Sequence, residues 1–341
     1  MKRFLVALLV LVPLALFAGG KKLYVYNWSE YMPESVIAQF EKETGIKIVY
    51  STYDSNEAMY AKLKIVGSGY DLAFPSTYYV NKMRKEGLLL PIDKTKITNL
   101  KHIDPTLLDK DYDKGNQYSV PYMWGSTALV LNTKAYPKSM LQSYKDLMKP
   151  EFKGQILLTN DMREIFGMAL LALGYSGNST NPDEIKAAYE YLKKLTPNVR
   201  LFSSESQKDP FINGEVIAGL AWNGQINEAH QVLPEIEYIY PKEGAILWLD
   251  SMVIPKGSKN IDAAHQFINF ICRPEIAKTI TEEIGYASPN KTAIGMLDPK
   301  VRNNPIVYPD KSIIDRSEFQ LSVGPAITIY EKYWQKLKAG L

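Results

Sequence analysis

The tightest constraint on this chain is an alternation of short branched or aromatic runs with amphipathic stretches that end in glycine. Residues 23–26 read as a strand, and Pro33 and Glu34 then open a helix. Its Val36, Ile37 and Phe40 share one face, and Gly45 ends it. A strand at 46–51, a helix at 56–66 closed by Gly67 and Gly69, a strand at 71–74 and a short helix at 80–86 stopped by Gly87 follow. Parallel strands need crossover connections, so this order implies a largely parallel sheet with helices on its faces. The pattern restarts after Trp124-Gly125-Ser126, with strands at 128–132, 155–158, 216–221, 236–240 and 252–254. Helices are expected at 162–173, 182–195, 224–231, 262–272, 274–283 and 325–338. No repeat of 20–50 residues interrupts the pattern, and 341 residues exceed the usual span of one core, so two α/β domains are expected.

The first residues carry a separate signal. Lys2 and Arg3 precede an apolar run from Phe4 to Ala18, broken only by Pro13 and followed by Gly19-Gly20. The run is too short to span a bilayer and fits a cleavable secretory signal over residues 1–20, hence an exported, periplasmic protein. No cysteine follows it to accept a lipid tether. Without Lys2 and Arg3 the chain has 38 basic and 37 acidic residues, a balance that argues against nucleic acid or an anionic membrane surface as partner. Cys272 is the single cysteine, so an internal disulfide is excluded, and its apolar helical surroundings suit an inert buried thiol. The 23 tyrosines, against 11 phenylalanines, suit walls that are apolar on the face and polar at the tip.

In open α/β sheets ligands bind beyond the carboxyl ends of strands. Polar-aromatic clusters stand at four such ends, at 27–31, 75–79, 160–164 and 222–225, and a fifth at 248–251 lies where the chain returns toward the first domain. They offer Trp28, Tyr31, Tyr78, Trp222 and Trp248 together with the carboxylates Glu30, Asp161, Glu164 and Asp250. Aromatic faces and acids without matching arginines suit an organic cation. Each buried ammonium needs charged acceptors worth about 1.5–3 kcal/mol apiece, and methylene stems favour flat rings. Every member also has a plain structural reading. Asp161-x-x-Glu164 is a helix capping box, the tryptophans suit a core, and Glu30 suits a solvated loop. If 75–79 is extended, only one of Tyr78 and Tyr79 can face inward. Paired acids beside tryptophans also occur in glycoside hydrolases, but no nucleophile motif, metal spacing or phosphate loop accompanies them, and His102, His230 and His265 are scattered. An amino-acid ligand would need a cation for its carboxylate, and Arg163 is the one nearby.

The stretches 23–31, 50–64, 75–87, 121–125, 159–166, 222–224, 241–255 and 284–290 resemble the bacterial periplasmic spermidine/putrescine-binding proteins, and the similarity covers essentially the whole chain after residue 20. The resemblance implies a type II periplasmic binding protein fold, with two α/β lobes joined by hinge crossings and a ligand cleft between them. It implies lobes of 21–125 plus 249–294 and of 126–248 plus 295–341. It further implies that Trp28, Tyr31, Tyr78, Trp222, Trp248 and Tyr286 box the methylenes. Glu164 and Asp250, with Gln320, would grip one primary amine, and Asp161 the inner amine. Ser29, Glu30 and Ser76 would serve the other end, with Ser29 standing where the family has threonine. Tyr286 and Gln320 come from the resemblance alone. The implied partners are a polyamine and the permease of an ABC importer, with no cofactor, no metal and a monomeric state. Three carboxylates match a triamine better than a diamine, so spermidine is expected ahead of putrescine, and another organic cation is the alternative.

Overall fold

The computed structural model describes residues 21–340, and the expected signal segment at 1–20 lies outside them. Eleven strands among these residues are β1 (Lys22–Trp28), β2 (Lys47–Tyr53), β3 (Leu72–Ala73), β4 (Leu89–Leu90), β5 (Ser119–Asn132), β6 (Ile156–Leu158), β7 (Val199–Phe202), β8 (Ala218–Trp222), β9 (Ile236–Ile239), β10 (Ile246–Pro255) and β11 (Glu318–Phe319). The main path through the sheet is β2-β1-β3-β10-β5-β8-β6-β7, with β4 and β11 joining β10 and β9 joining β5. Pairs β1–β2, β1–β3, β6–β7 and β6–β8 are parallel, but β10 runs antiparallel to β3, β4 and β5, and β5 to β8 and β9, so the sheet is mixed and not largely parallel.

Apolar side chains gather in separate cores. One takes residues from Leu23 to Met123 and from Trp248 to Tyr286; the others draw on residues between Ala128 and Ile246 and between Ile306 and Leu337. The antiparallel pair β5–β10 runs from one region to the other, in register from Ile246 opposite Thr127 to Val253 opposite Ser119. A bulge falls on this pair, because Asp250 faces Met123 while Ser251 faces Pro121, leaving Tyr122 as the extra residue.

Several elements form where their composition indicates. The helices Asn56–Val66, Met162–Leu173 and Pro182–Leu195 begin on Ser55, Asp161 and Asn181, whose side chains each accept a hydrogen bond from the first turn. Gly174 ends the second of these at φ 84°, a left-handed conformation that disfavours any side chain.

Three element starts need correction. β5 begins at Ser119 rather than 128, because Pro121 sits beside the bulge, where a strand tolerates it, and Gly125 does not break the ladder. β10 begins at Ile246 rather than 252, and all ten of its residues are buried, so Asp250 and Ser251 belong to the strand. The short helix expected from residue 80 starts at Thr77 instead. It runs Thr77–Lys85 and buries both Tyr78 and Tyr79.

Candidate functional site

The carboxyl ends of β1, β3, β6 and β8 converge on one side, and β10 passes between them with Trp248 and Asp250 two residues apart on one face. The cavity they form holds about 480 Å³, its mouth included. Its walls bring together eleven of the thirteen expected residues: Trp28, Ser29, Glu30, Tyr31, Ser76, Asp161, Glu164, Trp222, Trp248, Asp250 and Tyr286. Ser204 and Gln225 line it as well. Tyr78 and Gln320 stand behind the wall. Gln320 donates from Nε2 to Glu164 Oε1 at 2.9 Å, and the Tyr78 hydroxyl accepts from Asn56 Nδ2 at 3.1 Å.

The rings form two groups. Trp28, at the end of β1, meets Trp222, at the end of β8, edge to face with centroids 5.9 Å apart. Tyr31, Trp248 and Tyr286 form a triangle, with centroids 5.4 Å apart for Tyr31–Tyr286 and 5.2 Å for Trp248–Tyr286. Two glycines make room for the second group. A β-carbon on Gly125, directly opposite Trp248 in the β5–β10 ladder, would come within 2.4 Å of the indole. One on Gly224 would come within 2.5 Å of the Tyr286 ring.

The acids are set from several directions. Asp250 Oδ1 accepts from the Ser76 hydroxyl at 2.6 Å and Oδ2 from the Tyr31 hydroxyl at 3.0 Å. The Ser76 hydroxyl is thereby engaged with Asp250 instead of capping its own helix, and it accepts in turn from Asn56 Nδ2 at 3.0 Å. Asp161 Oδ1 accepts from the Glu164 amide at 3.0 Å, so the capping role read from the sequence and a place in the cavity wall coexist. Glu164 Oε2 is buried and takes no hydrogen bond within the protein.

Asp161, Glu164 and Asp250 are no more than 5% exposed. Burial pushes Asp250 up to about 7, against the pull of the Ser76 and Tyr31 hydrogen bonds. Burial likewise raises Asp161, and it raises Glu164 well above the usual carboxylate range, with the neighbouring Asp161 charge adding to the effect. Three enclosed carboxyls are neutral only when protonated or paired with a cation, and no Lys, Arg or His among the described residues lines the cavity.

Arg163 does not fill that role. Its guanidinium donates to Leu321 O at 2.9 Å and to Asn178 Oδ1 at 3.0 Å, and it lies between the Tyr78 and Tyr330 rings, 5.2 and 5.3 Å from their centroids. A ligand carboxylate would therefore meet acids and no available cation. Glu30, at φ 52° in a turn after β1, reaches the other half of the chain. Its Oε2 accepts from Gln225 Nε2 at 3.1 Å and its Oε1 from the Ser206 hydroxyl at 3.4 Å, with Lys208 3.9 Å away. Among the described residues no group of three or more His, Cys, Asp or Glu side chains is disposed to hold a metal ion.

Cys272 is buried, and burial pushes its thiol up to about 12, in keeping with an inert side chain. Ser204 carries no mark in the sequence, and Gln225 closes the 222–225 cluster without being singled out there. Gln225 carries a usable signal, because it is the third residue of the helix Asn223–Val232 just as Glu164 is the third of Met162–Leu173.

Residues 35–309 match the family model described as bacterial extracellular solute-binding protein. The spermidine/putrescine-binding periplasmic protein of Salmonella typhimurium is 53% identical over 319 residues, covering 93% of this chain and 92% of the relative. The putrescine-binding periplasmic protein of Escherichia coli is 33% identical, covering 95% of this chain and 93% of the relative. The solved spermidine/putrescine ABC transporter substrate-binding protein of Streptococcus pneumoniae superposes with a TM-score of 0.77 at 36% identity, covering 94% of this chain and 99% of that one.

Proposed function

Because this chain belongs to the bacterial extracellular solute-binding proteins and has their two-lobe type II fold, we propose that it captures a polyamine between its lobes and delivers it to an ABC importer. Its relatives are solute-binding proteins of transport systems and not enzymes, which removes the glycoside hydrolase reading. The observation that carries the proposal is the cavity itself. Three buried carboxyls and five rings face a space with no basic side chain in its wall, and Arg163 is held elsewhere.

In this reading Asp161, Glu164 and Asp250 hold ammonium groups, each charge-assisted hydrogen bond worth about 1.5–3 kcal/mol. Trp28, Tyr31, Trp222, Trp248 and Tyr286 cover the methylenes. Tyr78 and Gln320 act from behind, Gln320 by fixing Glu164 and Tyr78 by fixing Asn56 and, through it, Ser76. Ser29 and Glu30 serve the rim. The lobes are 21–125 plus 249–294 and 126–248 plus 295–341, and the β5–β10 pair linking separate cores supports that division. Ligand makes its full set of contacts only when both lobes close on it, so binding shifts the population toward the closed form.

The chain acts outside the cytoplasm, as its relatives do. The reading extends this to a periplasmic monomer released by removal of residues 1–20, with a membrane permease meeting the closed surface and no nucleic acid involved. Spermidine is the preferred cargo and putrescine the second, with Glu164 and Asp250 sharing one primary ammonium and Asp161 taking the inner one. A thermal-shift panel of spermidine, putrescine, glutamate and maltose tests this. Only the polyamines raise the melting temperature, spermidine more than putrescine, and a panel in which neither polyamine moves it refutes the proposal.

A further inference from the structure

One amide in the cavity wall has a fixed orientation and an unused acceptor. Gln225 is 6% exposed, and its Nε2 donates to Glu30 Oε2 at 3.1 Å. A carboxylate oxygen only accepts, so the nitrogen must be the end that faces Glu30, and Oε1 points away from it. That Oε1 is buried and takes no hydrogen bond within the protein. A buried carbonyl left unpaired is costly, and this one belongs to a residue of the cavity wall.

The position repeats a pattern. β6 and β8 are adjacent and parallel, and each feeds a helix whose third residue faces the cavity, Glu164 after β6 and Gln225 after β8. Glu164 is an anion steadied by Gln320, whereas Gln225 is a neutral acceptor steadied by Glu30. Tyr286 lines the cavity beside Gln225. Its ring packs over Gly224, next to Gln225 in the chain, and against the Tyr31 and Trp248 rings. The Glu30 contact also polarises the amide, which strengthens Oε1 as an acceptor.

We infer that Gln225 sets the length of cargo the site prefers. Its Oε1 accepts from the ammonium group of a triamine that Asp161, Glu164 and Asp250 do not hold. A diamine satisfies itself on the buried carboxyls and leaves the amide unused. The inference rests on the polyamine reading and adds to it a residue that separates triamine from diamine.

Calorimetry on the purified chain and on Gln225→Leu, each titrated with spermidine and with putrescine, decides the matter. The substitution weakens spermidine about 10- to 100-fold and leaves putrescine within about threefold, so the preference for the triamine collapses. Gln225→Met keeps the side chain's length and is read in the same way should the leucine variant not fold. Equal weakening of both ligands assigns Gln225 to lobe closure alone and overturns the inference, as does an unchanged spermidine affinity. In either case binding by the unsubstituted chain still upholds the polyamine reading. Failure of the unsubstituted chain to bind either amine removes that reading, and the inference with it.

Discussion

The two sides of the cavity use the same functional group in different solvents. Asp161, Glu164 and Asp250 are almost fully enclosed, whereas the Glu30 side chain is 43% exposed and already has Gln225, Ser206 and Lys208 for neighbours. Two unit charges 4 Å apart attract by about 1 kcal/mol in water and about 4 kcal/mol at an effective dielectric of 20. An ammonium on the enclosed side is therefore held much more firmly than one at Glu30. The enclosed side carries a matching cost, since without cargo its carboxyls hold protons more tightly than ordinary acids do. Firm grip and proton uptake have one physical origin.

The largest effect should come from the enclosed side. Asp161→Asn weakens spermidine binding by about 2–4 kcal/mol, 30- to 1000-fold, because a buried cation loses a charged partner. An unchanged dissociation constant in calorimetry would remove Asp161 from the site.

Next in size is the effect of pH. Asp250 stands at about 7 in the folded chain against its ordinary 3.8. Between those values the folded chain keeps a proton that the unfolded chain has lost. The stability this group contributes without ligand is therefore full below about pH 4 and is lost as pH rises through 7. Cargo needs the charged carboxyl, so the spermidine-induced rise in melting temperature grows from about pH 5 to 8, and binding near pH 6 releases protons. Calorimetry in two buffers of different ionisation enthalpy counts those protons, and a count of zero would mean that the enclosed acids are already charged.

The smallest effect belongs to the rim. Glu30→Gln costs less than about 1 kcal/mol, and the loss shrinks further at high salt. If Glu30→Gln matched Asp161→Asn in the same titration, the contrast between the two sides would disappear.

How much of this was legible follows from where each residue sits. Asp161 and Glu164 announce a helix start directly after a strand, and Trp28 and Trp222 end strands, so local pattern and topology together point to them. Tyr286 and Gln320 carry no such mark. Tyr286 follows the helix Pro274–Ile284 and its Gly285 cap, and its place in the wall depends on packing over Gly224, more than sixty residues away. Tyr78 shows the opposite failure. The branched and aromatic run Thr77-Tyr78-Tyr79 leaves the start of the helix to be read at Val80, yet the run itself forms the first turn, which carries the Tyr78 ring behind the wall and onto Arg163. Asp250 is legible as a candidate but the start of its strand is not, because a strand buried on both faces shows no alternation to announce where it begins.

Trp248 differs from the other rings in being seated within the β5–β10 ladder, facing Gly125. Trp28 and Trp222 stand at the free ends of strands in separate halves. If the halves swing about that ladder, the indole at the pivot barely travels while the other two part widely. Departing cargo would then lose its roof before its floor, and release would proceed by peeling from one fixed surface.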